Sequence, residues 1–479
     1  MNFWAIGTEI EIVVLMLITL AMDLLLPREA SRRNIGYVVL VGLAAILIYT
    51  FGQYHIGPSM TFFGGLFFVD NYALFFKQLF LVGMFFTILF SLEYAEKLLR
   101  YRGEFYALLL SALLGMCVMA SANDFVTTFV GLELMTVSFY ILVGARMTSA
   151  DSSEAAVKYL IVGAGSTAVM LYGMSLVYGA AGSLVFSEVC RNVHLFYAAG
   201  LAGVVMVIIG FFFKLSVIPF HMWAPDVYQG APTPVTALLA MGSKAAGIAV
   251  FMRILYTAFP ILGNFWLPIL AGFAALCMIG GNIMAIRQTD LKRMLAYSSI
   301  AQAGYMMVGI VSADLAGMKA VLFYAMLYVF ANLGAFAVIT VLDTERGGTS
   351  RKDITGLAQA APLLAAVMTI SLLSMAGIPP TAGFAGKIYL FTSVVERGYL
   401  WLAFVGFVMS MISVYYYLMV AKAMYRDLTP EEAEYAAPVH VPMTVRAAVL
   451  ISVIATIGLG VCPEWLATLT NAAVQTFMR

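Results

Sequence analysis

The chain has 479 residues, of which 63% are hydrophobic and 11% are charged, and its net charge is +1. Because so few polar side chains cannot cover the surface of a soluble protein of this size, the composition excludes that class and indicates an integral membrane protein. The first apolar run carries Glu9 and Glu11 and continues to full spanning length. It therefore predicts a membrane span and not a cleavable signal peptide.

Fourteen predominantly apolar stretches follow one another, each close to the roughly 20 residues that a spanning helix needs. They are centred near residues 16, 44, 82, 113, 134, 166, 207, 246, 276, 302, 328, 367 to 390 (one interrupted segment), 411 and 455. The connections are short. We therefore predict an all-α, polytopic membrane protein with 14 transmembrane helices that forms one membrane domain over residues 1–479.

The basic residues predict the orientation of these spans, since Lys and Arg accumulate on the cytoplasmic side of a membrane. The odd-numbered connections and adjoining helix ends hold sixteen of them: Arg28, Arg32, Arg33, Lys97, Arg100, Arg102, Arg146, Arg287, Lys292, Arg293, Arg346, Arg351, Lys352, Lys422, Arg426 and Arg446. The even-numbered connections and the C-terminus hold four: Arg191, Arg253, Arg397 and Arg479. Both termini are therefore expected on the outer, periplasmic side of the cell inner membrane.

Two spans, the seventh and the twelfth, are interrupted by helix-breaking residues. These are Pro219 and Pro225 in the seventh span and Gly377, Pro379 and Pro380 in the twelfth. Broken helices persist at membrane depth only where the freed backbone groups face protein or water.

A lysine precedes the first break and another follows the second, which is the order expected of inverted repeats with ion sites at the interrupted helices. We predict two inverted five-helix repeats, spans 4–8 (residues 106–258) and spans 9–13 (residues 266–426). Spans 1–3 (residues 1–105) and span 14 (residues 443–470) would be additions.

Five ionisable residues lie within the apolar stretches: Glu133, Lys158, Lys214, Lys244 and Lys387. Each costs at least about 2.5–3.5 kcal/mol near the bilayer centre, so such a residue needs a partner or a task. We predict that Glu133 modulates Lys214 and that protons pass through Lys244 to Lys387. The alternative for the first two residues is a static buried ion pair.

Lys158 and two further lysines have simpler interpretations. Lys158 follows a candidate capping box, Asp151-Ser-Ser-Glu154, so it should lie less deep than the other charges. Lys77 and Lys319 lie near the outer ends of spans 3 and 11, where snorkelling to the interface would accommodate them.

Polar side chains in spans 10 and 11 provide a candidate water path between the lysines: Ser298, Ser299, Gln302, Tyr305, Tyr324, Tyr328 and Asn332. Small polar residues also serve helix packing in membranes, and that alternative remains open. His221 lies beside the first break, whereas His55, His194 and His440 fall in connections. Haem ligation by paired histidines is therefore not expected.

No cofactor or metal site is expected on this chain. The four cysteines, Cys117, Cys190, Cys277 and Cys462, are isolated and provide neither a disulfide framework nor an iron–sulfur cradle. The sequence also lacks a nucleotide-binding motif and a nucleophile elbow, so the energy for transport must come from an ion gradient or a partner protein.

Three segments together resemble the antiporter-like subunits shared by respiratory complex I, Mrp-type cation/proton antiporters and membrane-bound hydrogenases. They read FKLSVIPFHMWAPDVYQGAPTPVTALLAMGSKAA, RQTDLKRMLAYSSIAQAGY and MAGIPPTAGFAGK. The segment RGEFYALLLSALLGMCVMASANDFVTTFVGLELMTVSFYILVG is similar to the complex I branch of this family.

The resemblance implies a fourteen-helix proton channel subunit of a proton-translocating NADH:quinone oxidoreductase, driven at a distance by quinone chemistry in neighbouring subunits. The family's functional glutamate and lysines correspond to Glu133, Lys158, Lys214, Lys244 and Lys387. Relatives commonly place a histidine at the position of Gln302, so a direct side-chain proton relay is not expected there. Quinone, flavin and iron–sulfur clusters are expected in partner subunits.

The implied partners are the other membrane-arm subunits and lipids, and no nucleic acid is expected. Two alternatives remain open. One is a subunit of an Mrp-type cation/proton antiporter or of a membrane-bound hydrogenase, which would share every buried charge. The other is a membrane spacer that holds an assembly together without conducting ions.

Overall fold

The computed structural model describes residues 6–27, 30–53, 60–429 and 439–477. Arg28, His55 and Arg479 lie outside the described residues. Helices account for most of the described chain, and they follow one another with short connections.

The helices of the first half are α1 Gly7–Leu25, α2 Arg33–Gln53, α3 Asn71–Leu98, α4 Arg102–Ser121, α5 Phe125–Val143, α6 Ala150–Ala181, α7 Phe186–Arg191, α8 Ala198–Lys214, α9 Trp223–Gly230, α10 Thr233–Leu238 and α11 Lys244–Arg253. Those of the second half are α12 Gly263–Ile286, α13 Leu291–Val311, α14 Leu315–Glu345, α15 Leu357–Ala360, α16 Pro362–Ala376, α17 Ala382–Glu396, α18 Leu400–Tyr425, α19 Met443–Val461 and α20 Glu464–Phe477.

Within the described residues, eleven helices are long and apolar enough to cross a membrane. One of them is the continuous segment Thr233–Ala258, which contains α10 and α11. Two shorter apolar helices, α8 and α16, end at the predicted breaks. The all-α, multi-pass prediction is confirmed, whereas the number of fourteen spans and the division into inverted repeats remain predictions.

Several short elements were not predicted from the sequence, among them a hairpin and the last helix. A short antiparallel hairpin pairs β1 (Met60–Phe62) with β2 (Phe67–Val69) in the connection before α3. Helix α20 begins at Glu464, inside the predicted span 443–470, and packs against α3 and α14. Both are too short to register as spans, which explains why a search for long apolar stretches does not find them.

Aspartates start several of the long helices, because a carboxylate at the N-cap accepts hydrogen bonds from backbone N–H groups that have no intrahelical partner. Asp70 accepts from Ala73 N at 2.7 Å, and Asp124 accepts from Val126 N at 2.8 Å. Helix α6 is capped by Ser149 and not by the predicted box, since its first residue is Ala150 and Asp151 lies inside the first turn.

The first break separates α8 from α9, and Pro219 lies in the turn between them. Pro225, predicted as a break, instead lies in the first turn of α9, where its missing N–H costs no hydrogen bond. The second break separates α16 from α17. Gly377 ends α16 in the left-handed region at φ +84°, and Pro379 and Pro380 follow it in the connection.

The centre of the bundle is formed by α13, α14 and the segment Thr233–Ala258, all of which are buried along nearly their whole length. Helices α6, α18 and α19 lie at the periphery and expose many apolar side chains. A five-residue π-helical segment, Leu239–Ser243, interrupts the central element immediately before Lys244. Such π segments are frequent at functional sites.

Candidate functional site

Lys387 lies after the second break and closes the C-terminal end of α16. Its Nζ donates to the main-chain oxygens of Met375 and Ala376, both at 2.9 Å, and to Ser410 Oγ at 2.8 Å. Carbonyl groups in the last turn of a helix lack intrahelical partners and carry the negative end of the helix dipole. The break therefore creates a cation-accepting site, in which Lys387 is 4% exposed.

Gln302 connects this site to α14. Its Nε2 donates to Met375 O at 3.1 Å, and its Oε1 accepts a hydrogen bond from the Tyr324 hydroxyl. Met375 O thus accepts from both Gln302 and Lys387. A glutamine amide cannot take up a proton at neutral pH, but its fixed dipole orients its neighbours.

Lys244 follows the π-helical segment and reaches α13. Its Nζ donates to Ser299 Oγ at 2.7 Å, and Ser299 in turn donates to Ala296 O at 2.7 Å. Ser299 and Gln302 are three residues apart and therefore lie on the same face of α13. Ser299, which binds Lys244, therefore lies next to Gln302. Gln302 in turn shares its carbonyl acceptor with Lys387.

A second group of polar contacts lies beside the first. Ser298 Oγ and Tyr417 Oη are 2.5 Å apart, and Asn282 Nδ2 donates to Tyr305 Oη at 3.4 Å. The Nζ of Lys387 lies 4.4 Å from the centre of the Tyr305 ring, within the range of a cation–π interaction. The candidates Ser298, Gln302, Tyr305 and Tyr324 are therefore gathered around the second break.

Lys214 is the last residue of α8, and it is 3% exposed. It donates a hydrogen bond to Thr136 Oγ1 on α5. Its Nζ also lies 6.0 Å from the centre of the Tyr159 ring and 5.7 Å from that of Phe213. In the described part of the chain no carboxylate lies within 4 Å of its Nζ.

Glu133 and Lys214 form no ion pair within 4 Å, so the static ion pair is not present, whereas the modulation of Lys214 by Glu133 remains a prediction. The Oε1 of Glu133 accepts a hydrogen bond from Thr167 Oγ1 of α6 at 2.9 Å. The carboxylate lines a groove of about 630 Å³ between α5 and α6, together with Tyr140 and Leu160. Glu133 turns toward α6, whereas Lys214 binds the hydroxyl of Thr136 one turn further along α5.

Lys158 lies apart from the other lysines, as its position near the start of α6 predicted. It forms ion pairs with Glu154 at 2.7 Å and Asp226 at 2.9 Å, and its side chain is 46% exposed. Asp226 also pairs with Arg293 at 2.6 Å. These residues and Gln229 line a polar pocket of about 200 Å³. Lys158 is thus part of a surface charge cluster.

His221 is half-buried in the connection between α8 and α9, with its ring centre 6.5 Å from that of Tyr297. It makes no hydrogen bond to Gln302, Lys244 or Lys387 within the described structure. The structure therefore does not place it with the polar groups of α13 and α14.

Lys77 does not snorkel. It is 3% exposed and pairs with Glu9 of α1 at 2.7 Å, and its Nζ lies 5.2 Å from the centre of the Phe67 ring. Lys77 can stay buried because Glu9 of α1 lies beside it and neutralises its charge. This ion pair joins α1 to α3, and it could not be predicted from either sequence segment alone.

Sequence reasoning missed Thr136, Asn282 and Ser410, which contact the candidate residues. Each is a small polar side chain in an apolar span, and nothing in the sequence sets it apart from neighbours such as Ser138 and Ser413. Within the described residues, no group of three or more His, Cys, Asp or Glu side chains is placed to hold a metal ion.

A protein-family model described as NADH:quinone oxidoreductase/Mrp antiporter, TM, matches residues 122–413. This range contains both breaks and all five candidate charged residues.

Curated and solved relatives extend the match over the whole chain. The NADH-quinone oxidoreductase subunit N of Heliobacterium modesticaldum is 48% identical over 477 residues, covering 99% of this chain and 100% of the relative. A chain of respiratory complex I from Thermus thermophilus is 32% identical, with a TM-score of 0.82 over 97% of this chain and 100% of that one. A chain of the Mrp complex from Dietzia sp. shares the fold, at 19% identity and a TM-score of 0.87 over 99% of this chain and 97% of that one. This chain therefore belongs to the NADH:quinone oxidoreductase/Mrp antiporter transmembrane family, and within it to the subunit N group.

Proposed function

We propose that this chain translocates protons across the membrane as an antiporter-like subunit of a proton-pumping NADH:quinone oxidoreductase. The observation that carries the proposal is the polar connection through the centre of the bundle. Lys244 donates to Ser299, Gln302 lies three residues further along the same face of α13, and Gln302 and Lys387 both donate to Met375 O. A few waters between Ser299 and Gln302 would let the two buried lysines exchange protons along this face.

Glu133 and Lys214 form the other part of the proposed path. They do not touch, so a change in the packing of α5, α6 and α8 would be needed to bring them together. Since an opposite charge favours the ionised form of a lysine, that approach would hold a proton on Lys214 and separation would release it. Lys158, in its surface charge cluster, would belong to the surface end of this part of the proton path.

The electrons are proposed to remain outside this chain. Quinone, flavin and iron–sulfur clusters would lie in partner subunits, which would drive this subunit through contacts along the membrane arm. Subunit N relatives and a complex I chain of known structure support this placement. The cytoplasmic ends of the spans would be those with the basic odd-numbered connections, which puts both termini on the periplasmic side of the inner membrane.

Replacing Lys244 by methionine tests the proposal. The assembled complex carrying Lys244→Met would be reconstituted in vesicles, and proton uptake would be measured together with NADH oxidation. We expect proton uptake per NADH to fall, and turnover to slow by about 10²-fold if the step limits the rate, since a positioned acid–base group contributes that order. Lys352→Met is the control, because Lys352 is exposed in a connection.

Unchanged proton uptake per NADH in assembled Lys244→Met complex would contradict the proposal and favour a membrane spacer. A cation/proton antiporter is the second candidate, favoured by the shared fold with the Mrp chain. Purification distinguishes the two, because only the first predicts that flavin- and iron–sulfur-containing subunits accompany the chain. A sodium-dependent proton flux in their absence would support the second.

A further inference from the structure

A groove lies at the end of the bundle where α14 begins, α17 ends and α20 begins. Its volume is about 540 Å³, within the usual range for ligand sites. The floor is apolar, and the rings of Phe323 and Tyr389 meet there edge to face with their centres 4.9 Å apart.

Three charged side chains surround this floor: Lys319, Glu396 and Glu464. Among the described residues, none of the three has an ion-pair partner within 4 Å. Lys319 is half-buried and the two glutamates are exposed. One cation and two carboxylates thus line a single groove without neutralising one another.

The groove lies at the level expected for lipid head groups. The three charges lie in the second turn of α14, the last turn of α17 and the first turn of α20, all at the same end of the bundle. Trp465, beside Glu464, is 83% exposed, and tryptophan is enriched at the membrane–water interface. An apolar floor with a charged rim at this depth matches the boundary between acyl chains and head groups.

Helix α20 is held firmly enough to form one wall of the groove. At its far end the ring centre of Phe477 lies 4.7 Å from that of Tyr72, and the guanidinium carbon of Arg253 lies 5.3 Å from the Phe477 ring. Arg253 is fixed in turn by both oxygens of Asp70, at 3.0 Å each. The wall is therefore anchored independently of any ligand.

We propose that this groove binds one phospholipid with a zwitterionic, primary-ammonium head group, such as phosphatidylethanolamine. Lys319 binds the phosphate, Glu464 and Glu396 bind the ammonium, and Phe323 and Tyr389 contact the first part of an acyl chain. Charge complementarity determines the choice, since an anionic lipid would leave two carboxylates unneutralised. A primary ammonium donates three hydrogen bonds to these carboxylates, whereas a quaternary ammonium donates none.

Lipid retention in the assembled complex tests the proposal. The complex would be placed in nanodiscs of phosphatidylcholine that contain a minor fraction of deuterated phosphatidylethanolamine. Tightly held lipid would then be quantified by mass spectrometry after removal of loosely bound lipid. We expect this groove to retain one phosphatidylethanolamine molecule per complex. Its retention should fall about tenfold in Lys319→Gln and in Glu464→Gln, the factor that 1.4 kcal/mol of lost binding corresponds to.

Matched controls carry the same chemical changes away from the groove. Lys352→Gln and Glu104→Gln alter exposed residues at the opposite end of the bundle and should leave retention and NADH oxidation unchanged. The groove variants should also keep their NADH oxidation rate. The proposal is overturned if the groove variants retain as much phosphatidylethanolamine as the wild-type complex. It is also overturned if the wild-type groove retains phosphatidylcholine as well as it retains phosphatidylethanolamine.

A photo-crosslinking residue in place of Thr392, which lines the groove, identifies the occupant directly. We expect a crosslink to deuterated phosphatidylethanolamine in the assembled complex. A crosslink to a neighbouring subunit with none to lipid would show that a protein segment fills the groove, and would contradict the proposal.

Discussion

Lys214, Lys244 and Lys387 share one property at the scale of single residues. Each is at most 4% exposed, and each donates a hydrogen bond to a hydroxyl group. A hydroxyl satisfies the ammonium group without neutralising its charge, so the neutral lysine remains accessible in energy. A carboxylate at the same distance would instead favour the charged form and hold the proton. The buried pair of Lys77 with Glu9 shows that second arrangement in the same molecule.

Gln302 provides a test at this scale, because its two ends join α16 to α14. In Gln302→Leu, Met375 O loses one donor and the buried Tyr324 hydroxyl loses its acceptor, and an unpaired buried polar group costs about 1–3 kcal/mol. We expect lower thermal stability of the assembled complex and less proton uptake per NADH. Vesicle measurements of proton uptake, with NADH oxidation recorded in parallel, check this expectation.

Gln302→His is the companion variant. An imidazole can donate to Met375 O and accept from Tyr324, so we expect assembly and turnover to be kept. Loss of either in Gln302→His would count against placing this residue on the proton path. If Gln302→Leu pumps as well as the wild-type complex, the amide is not needed between Lys244 and Lys387.

At the scale of elements, the second break depends on Gly377. Its φ of +84° is a left-handed conformation that L-residues rarely adopt, and an added Cβ would lie 2.9 Å from Lys387 Cδ. In Gly377→Ala we expect a loss of about 1–2 kcal/mol in stability from the backbone alone. Displacement of the Lys387 side chain should reduce proton uptake per NADH as well.

Gly398→Ala is the matched control for this substitution. Gly398 has nearly the same φ, +85°, but an added Cβ there would have no neighbour within 4 Å. It should therefore show the backbone cost in thermal stability without the loss of proton uptake. Equal pumping defects in both variants would trace the effect to the backbone of the two connections, and the role assigned to Gly377 in positioning Lys387 would be wrong.

The elements were largely predictable from the sequence, whereas the side-chain partners were not. Long apolar stretches and prolines carry enough local information to locate spans and breaks. Which side chains contact one another depends on how the helices pack. Glu133 and Lys214 are 81 positions apart in the sequence, and only the packing of α5 against α6 shows that Glu133 binds Thr167 instead. Ser410 likewise meets Lys387 only because α18 crosses the end of α16.

At the scale of the whole molecule, ionic contacts join connections at the end of the bundle that carries the basic residues. Lys97 pairs with Glu345 at 2.7 Å, and Arg146 pairs with Asp343 at 3.0 Å. These contacts link odd-numbered connections that are far apart in sequence. They hold Lys97 and Arg146 at the same end of the bundle, which the proposed orientation puts on the cytoplasmic side.

Cysteine labelling tests that assignment with a residue the chain already contains. Cys462 is exposed at the opposite end, between α19 and α20, Cys190 is partly exposed, and Cys117 and Cys277 are buried. Cys190 is therefore first replaced by serine. In right-side-out membranes, a membrane-impermeant maleimide should label Cys190→Ser and fail to label the double variant Cys190→Ser/Cys462→Ser. In the double-variant background, Lys352→Cys should react only in inverted vesicles. Labelling of the two positions from the same side contradicts the alternating spans. Exchange of their sides reverses the proposed orientation and would put the basic connections on the periplasmic face.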